Sequence, residues 1–308
     1  MTTTHTKSTW WEWGMETAYA GGNAGEAYAT TAPNAGTLTP CNSHYNEEQI
    51  LPWAVYIHEV VEQAGQDVNE KLTLTKGYDS ILAKITQYQQ NTTWIDLALG
   101  IDPVETGGAA LPDSFFFHFD NGQAEYTAYG CYITKYTLST KSRDYMKEII
   151  EFLNYDVKAE AIVGDDAPFD IATVVSNHKD YGTTTITIDG TVIEDSSSAT
   201  LTVTNHYVEQ DAKGGGSYPH KFPYFLKRDI EVDMEFLTYA SNPLLDDLVE
   251  AASFATLVFT PFGKGNLQLT NMKVKKDSVN AHSIPEKGMI KYKVIFEIGG
   301  NCVPTTPA

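Results

Sequence analysis

The segments ATLTVTNHYVEQ (residues 199–210) and MIKYKVIFEI (residues 289–298) decide the fold, because both have the pattern of a β-strand. Apolar and polar side chains alternate along them, as in a strand with one buried face. The sequence between them predicts one helix and three more strands, at residues 242–252, 228–239, 256–262 and 266–277. Asn242 can cap that helix, and Pro243 suits its first position. The stretch therefore predicts a small β module with one short helix.

The first half of the chain predicts the same kinds of element in the same order. Strands are predicted at residues 51–61, 69–78, 114–119 and 124–138, followed by an element at 145–157 that could be strand or helix by period alone. Asp79 suits a helix N-cap. Ile81, Leu82 and Ile85 then follow at helical spacing, which predicts a helix to about residue 90. Residues 91–113 are predicted to be a loop.

Local similarities between the two halves indicate a duplication. The matched positions are His58 with His206, Phe119 with Phe259, residues 131–135 with 272–276, residues 147–152 with 291–296, and Ile81, Leu82 and Ile85 with Leu244, Leu245 and Leu248. Their shared order predicts two tandem modules, and a repeat of this kind determines the architecture. The predicted divisions are an N-terminal arm and loop (1–49), two β-sandwich or barrel-like modules (50–157 and 158–300) and a C-terminal tail (301–308).

Charge and composition exclude several classes of protein. The 308 residues carry a formal net charge of −19. A field of that sign repels phosphate, so the chain is not expected to grip nucleic acid. Its three cysteines are far apart, which indicates neither a disulfide framework nor a zinc site. No long apolar run and no signal sequence is visible, so we expect a chain made in the host cytoplasm with no membrane partner.

No constellation of residues predicts catalysis. The eight histidines form no metal-ligand motif. The glycine-rich stretch at residues 211–224 lacks the ending of a phosphate-binding loop and is predicted to be a mobile loop. We therefore predict no enzyme activity, no cofactor and no metal site. A hydrolase whose acidic residues meet only in the folded protein stays open as an alternative.

The N-terminal arm carries three tryptophans, Trp10, Trp11 and Trp13. Such large aromatic side chains are costly to expose, and they are enriched both in protein cores and at interfaces. They could pack against the arm's own chain or against a neighbouring copy. The sequence leaves both alternatives open.

The organisation of the chain resembles that of the major tail tube proteins of long-tailed phages and related archaeal viruses. The resemblance lies in two acidic β modules with long loops, in WGMETAY (residues 13–19), in the 199–210 strand before a loop, and in GCYI (residues 130–133) before 145–157. In that family the strands of each module line a tube and the helix lies outside. A duplicated subunit would accordingly form homotrimeric, pseudo-hexameric rings that stack into a filament.

The resemblance also implies partners and a location. The chain would bind itself and contact tape-measure, terminator and baseplate or sheath proteins in the virion tail. Viral DNA would pass through the tube during ejection without specific binding. The expected inter-subunit contacts are Trp10, Trp11, Trp13, Tyr19, Gly214, Gly215, Gly216 and Tyr218. Another virion or surface β protein, such as a capsid-decorating or carbohydrate-binding module, is the alternative.

Overall fold

The computed structural model describes residues 10–15, 39–40, 54–62, 73–89, 93–100, 114–120, 125–141, 146–154, 156–158, 185–193, 196–212, 220–238, 254–260, 267–275, 280–283, 290–298 and 304–305. The elements of the first half are β1 (Trp10–Met15), β2 (Thr39–Pro40), β3 (Ala54–Glu62), β4 (Thr73–Tyr88), α1 (Thr93–Leu99), β5 (Phe115–Asp120), β6 (Glu125–Lys141), β7 (Lys147–Leu153) and β8 (Asp156–Lys158). Those of the second half are β9 (Thr185–Ile188), β10 (Thr191–Val192), β11 (Ser196–Ala212), β12 (His220–Thr238), β13 (Ala255–Thr260), β14 (Leu267–Val274), β15 (Asn280–Ser283), β16 (Ile290–Ile298) and β17 (Pro304–Thr305).

The described residues form a curled, antiparallel half-barrel sheet with one short helix, which confirms the mainly β fold class. Alternating side chains point to opposite faces of a strand, so one face of the sheet can be buried while the other meets water. β7 follows this rule, with the side chains of Glu148, Ile150 and Phe152 buried and those between them partly exposed. The buried face carries one hydrophobic core to which both halves contribute.

The predicted helix at residues 79–90 is wrong, because β4 runs through it as a strand of 16 residues. This strand is paired from one end to the other: residues up to Leu82, opposite Ala54, pair with β3, and the residues after it, including Ile85 opposite Ile150, pair with β7. Helical spacing over one or two turns is a weak signal, and a ladder that runs through the whole segment outweighs it. The proposed match of Ile81, Leu82 and Ile85 to a second helix therefore fails.

The described helix, α1, lies inside the predicted loop at residues 91–113. The side chains of Trp94, Ile95, Leu97 and Leu99 are all buried, so the helix has no polar face to reveal its period. Trp94 packs edge-on against Phe115, with ring centroids 5.6 Å apart. The helix predicted at residues 242–252 lies outside the described residues.

Most of the predicted strands are confirmed. β5 and β6 pair as the predicted hairpin, and residues 145–157 form strands β7 and β8. The Asp189-Gly190 turn joins β9 to β10, with positive φ angles of 48° and 80°. The loop predicted at residues 211–224 is too long, because the β11–β12 ladder continues to Ala212 opposite His220. Aromatic residues in HKFPYF (220–225) favour this extension.

The scheme of strand pairing is the same in both halves. In the first half it comprises β1–β2, β1–β5, β5–β6, β6–β7, β6–β8, β4–β7 and β3–β4. In the second it comprises β9–β10, β9–β13, β13–β14, β14–β16, β14–β17, β12–β16 and β11–β12. This agreement is what a duplicated module predicts, and the duplication itself stays a prediction.

The irregularities of the sheet recur at matched positions as well. The register shifts by one residue in both the β5–β6 and the β13–β14 ladder. The additional residue is on the second strand of each pair, at Gly130 of β6 and at Asn271 of β14. Gly130 has a φ of 59° and Asn271 a φ of 56°. Glycine and asparagine are the residues that tolerate this left-handed conformation best, and it marks one type of β-bulge. A shared bulge is a more specific similarity than a shared strand.

The left-handed backbone at Asn271 gives a test of this bulge. We expect Asn271→Val to lower the free energy of unfolding by about 1–2 kcal/mol, because a β-branched residue is strained at positive φ. Asn271→Gly should have no such cost, since glycine adopts this conformation freely. Urea denaturation of both variants measures the difference. Equal stability of the two would show that residue 271 is not held in the left-handed conformation.

Candidate functional site

The joint between the two halves is the ladder of β6 with β11. It runs from Ser198 opposite Lys141 to Thr204 opposite Lys135. Among the described residues it is the one strand pairing that joins β1–β8 to β9–β17. Its buried face pairs Leu201 with Leu138 and Val203 with Tyr136. The Thr140 hydroxyl bonds to both backbone groups of Ala199, accepting from its N–H (3.1 Å) and donating to its carbonyl (2.9 Å).

A polar latch, formed by Asn205 of β11 and Arg228 of β12, holds α1 against this joint. The Asn205 amide donates to the carbonyl oxygens of Ala98 and Ile133, each at 3.0 Å. Arg228 donates from Nε to the Asn205 side-chain oxygen (2.9 Å) and from Nη1 to the Leu99 carbonyl (2.5 Å). Two residues of the second half thus bind the helix of the first half.

The latch satisfies carbonyl groups that the end of a helix leaves without partners. The last turn of α1 contains no basic residue, and the helix ends at Leu99, directly before Gly100, whose φ is 64°. The Gly100 N–H donates to the Leu97 carbonyl at 3.2 Å. Carbonyls in the last turn are otherwise unpaired, and a cation there interacts favourably with the helix dipole. Arg228 supplies this cation from another element.

A cluster of aromatic rings lies beside Arg228 on the sheet. Tyr207 packs against Tyr132 at 4.5 Å and against Phe225 at 5.7 Å between ring centroids. The Arg228 guanidinium lies 5.4 Å from the centroid of the Phe225 ring. Burial raises the pKa of the Tyr207 hydroxyl far above its usual value, although the charge of Arg228 opposes this shift. The hydroxyl has no hydrogen-bond partner among the described residues.

A second buried tyrosine lies at the joint itself. The Tyr136 hydroxyl donates to the Glu148 carboxylate at 2.9 Å, and both side chains are buried. Burial, and then the charge of Glu148 and the hydrogen bond to it, raise the pKa of Tyr136 well above its usual value. The buried carboxylate thus gains a specific donor, which offsets part of the cost of removing it from water.

The face of the sheet away from the core is mostly polar and partly exposed. β12 presents an acidic row there, and two lysines contact it: Lys275, directly after β14, has its Nζ 2.6 Å from Glu231 Oε1, and Lys293 of β16 has its Nζ 2.6 Å from Asp233 Oδ2. His206 and Asp229 lie 2.7 Å apart. Such exposed pairs contribute little to stability. They place basic charge directly beside the acidic row of β12.

The charged groups around the Asp229 carboxyl lower its pKa by more than burial raises it. Burial raises the pKa of the Asp229 carboxyl, but hydrogen bonds and charge from Lys227 and His206 lower it by more. The net pKa lies below the ordinary value. The carboxylate therefore stays ionised over the neutral range.

The described residues include no group of His, Cys, Asp and Glu that could hold a metal ion. Within the same part of the chain, no helix is both long enough and apolar enough to cross a membrane. The expectations of no metal site and no enzyme activity stay predictions.

The predicted contact residues fall into two groups. Trp10, Trp11 and Trp13 lie in β1, which pairs with β5 of the same chain. Trp11 and Trp13 have the same register positions in the first half as Ile186 and Ile188, whose side chains are buried, have in the second. The arm thus joins its own sheet at this point. Tyr19, Gly214, Gly215, Gly216 and Tyr218 lie outside the described residues.

The sequence analysis missed Asn205 and Arg228. One signal was available, because Arg228 is one of only two arginines in the chain. Its partners are far away in sequence, at Leu99 and Asn205, so no local pattern could identify them.

No protein-family model matches the chain, and a search of curated proteins finds no match.

The latch predicts a specific loss of stability. We expect Arg228→Ala to lower the free energy of unfolding by about 1–3 kcal/mol, because it leaves the Leu99 carbonyl and the Asn205 amide oxygen without their donor. Lys227→Ala is the control, since its exposed pair with Asp229 contributes little. Chemical denaturation compares the two variants. If both lose the same amount, Arg228 does not act as a latch.

The buried tyrosines predict a loss of stability at high pH. Their folded pKa values lie above the unfolded value of about 10, so their contribution is complete below that pH and is lost as the pH rises towards the folded pKa. Each tyrosine then lowers the free energy of unfolding by about 1.4 kcal/mol per pH unit.

Two phenylalanine variants separate the contributions of the tyrosines. Tyr207→Phe should keep the stability of the parent near pH 7 and lose less above pH 10, because the buried hydroxyl has no partner within the described residues. Tyr136→Phe should lose about 1–3 kcal/mol near pH 7, since Glu148 loses a donor. Denaturation at several pH values measures both. An unchanged alkaline profile in Tyr207→Phe would contradict the prediction.

Proposed function

We propose that this chain is the subunit of a hollow tube, which it builds by forming homotrimeric rings that stack into a filament. In this proposal it acts as a major tail tube protein of a long-tailed virus, and DNA passes through the tube. The observation that carries the proposal is the β6–β11 joint between two halves with the same pairing scheme. Because the joint pairs different edges of two similar units, a further copy of the chain can make the same contact.

The direction of the joint supports a ring. The part of β6 that forms the joint lies at the edge of the first pairing scheme, next to β7, whereas β11 lies at the opposite edge of the second, next to β12. Such a contact is heterologous, and heterologous contacts generate closed rings or open helices when they repeat. The half-barrel curl of the sheet favours closure, because each added unit continues the curve.

The polar face supports a lumen. In this proposal the core and α1 lie on the outer side of the ring, and the face with Thr202, Glu231 and Asp233 lines the channel. Two of its lysines are paired with acids of β12, Lys275 with Glu231 and Lys293 with Asp233, so these cations are already occupied when DNA passes. Binding to DNA depends on cationic groups that release counterions from phosphate. The chain's net charge of −19 acts in the same direction.

The proposed location is the virion tail, after synthesis in the host cytoplasm. The proposed partners are further copies of the chain and the tape-measure, terminator and baseplate or sheath proteins. The candidates for contacts between stacked rings are Gly214, Gly215, Gly216 and Tyr218, which follow the end of the β11–β12 ladder in sequence, together with Tyr19.

Electron microscopy of concentrated, purified protein tests the proposal. We expect hollow filaments, with three chains and six similar units in each ring. Rings of six separate chains would contradict the duplication. Protein that stays monomeric across salt, pH and concentration would contradict the tube.

A further inference from the structure

Two strand edges lack the partner that the repeated scheme assigns to them. Within the described part of the chain, β3 pairs with β4 alone and β15 with β16 alone. By the repeat, β3 corresponds to β11. The hairpins agree in register, since both ladders slip beside the matched residues His58 and His206.

β15 corresponds in the same way to the last part of β6. Ser139 of β6 lies opposite Lys147, and Ser283 of β15 lies opposite Lys291. Lys147 and Lys291 begin the matched segments of β7 and β16. The edge of β6 that continues from Ser139 receives β11, so the corresponding edge of β15 is where a strand equivalent to β11 belongs.

We propose that the β15 edge of one copy pairs antiparallel with the β3 edge of a second copy, and that this pairing repeats the β6–β11 joint between chains. In the internal joint Thr202 lies opposite Thr137. The corresponding residues at the new joint are Ala54, where β3 begins, and Asn280, where β15 begins, and they are the one pair of this ladder in which both residues are described. This proposal rests on the proposed function, because its partner is a second copy of the chain. It adds which two strand edges meet.

A strand edge that lacks a partner among the described residues can accept such pairing. It presents unpaired N–H and C=O groups, which another strand can satisfy. If β3 paired with β15 of the same chain, no further copy could be added by this contact. If the two pair between chains, the backbone N–H and C=O groups of both edges gain partners in every copy. A closed ring then leaves neither edge free.

The joint between chains lacks the polar latch of the joint within a chain. The positions that correspond to Asn205 and Arg228 are occupied by Ile57 and Asp79. These residues cannot reproduce the amide and guanidinium donors that hold α1. In this proposal the joint between chains therefore has the backbone ladder without the latch, which permits chains to separate without unfolding.

Cross-linking between introduced cysteines tests the pairing. The experiment uses the full chain with Cys41 and Cys302 replaced by serine, and retains the buried Cys131. Ala54→Cys with Asn280→Cys places thiols at directly opposite positions, which a short thiol-reactive linker can span. Thr137→Cys with Thr202→Cys is the matched control, since it bridges the equivalent positions within one chain.

A shift of one residue provides the second control. Val55→Cys with Asn280→Cys places the two side chains on opposite faces of the sheet, so its cross-linking should be at least about tenfold lower. For the proposed pair we expect covalent dimers and closed trimers on a non-reducing gel. For the Thr137 and Thr202 pair we expect a cross-linked monomer. Mixing chains with only Ala54→Cys and chains with only Asn280→Cys should give dimers of one chain of each kind.

The outcomes separate this inference from the proposed function. Filaments without cross-linked multimers would overturn the edge pairing and leave the tube intact. Closed trimers without filaments would support the pairing and contradict the tube. A cross-link between Ala54→Cys and Asn280→Cys inside single chains would overturn the inference, because the two edges would then meet in one molecule.

Discussion

The antiparallel ladder between β6 and β11 runs from Ser198 opposite Lys141 to Thr204 opposite Lys135, and the placement of both halves follows from it. It joins the two halves into one sheet and satisfies backbone groups along the edges of two long strands, whose exposure would favour aggregation. It also fixes which side chains face the core. A slip of one residue would turn Leu201 and Val203 towards water and Thr202 inward. Asn205 lies on the same strand and face, so the docking of α1 depends on this register too.

Much of the fold could be predicted from the sequence, because long strands with one buried face have a clear period. β11 and β16 have this pattern, and so does the hairpin of β5 with β6. The match of His58 to His206, made from letters alone, agrees with the register of the two hairpins. The sequence wrongly predicted a helix where β4 lies and a loop where α1 lies. A strand that is paired from end to end can carry apolar residues at helical spacing, and a short helix buried on every side shows no period.

The candidate site was less accessible to sequence reasoning. Its contacts join residues that are far apart along the chain, such as Arg228 with Leu99. An arginine in a strand gives no indication of whether it faces water or the end of a helix. The bulges at Gly130 and Asn271 were equally hidden, since different residues satisfy the same backbone requirement. Their correspondence becomes visible only when the pairing is known, and it then supports the repeat more specifically than composition does.

In the proposed ring, a duplicated subunit accounts for the difference between a joint within a chain that has a latch and a joint between chains that lacks one. Within a chain the joint forms at a high effective concentration, because its two strands are already linked. Additional polar contacts there stabilise the subunit at no cost to reversibility. Between chains, a joint as strong would trap misassembled oligomers, whereas a weaker joint allows wrong contacts to dissociate. A three-chain ring needs fewer association events between free molecules than a six-chain ring with the same number of units. Strong joints within chains and weaker joints between them therefore favour rings that close with the correct number of units.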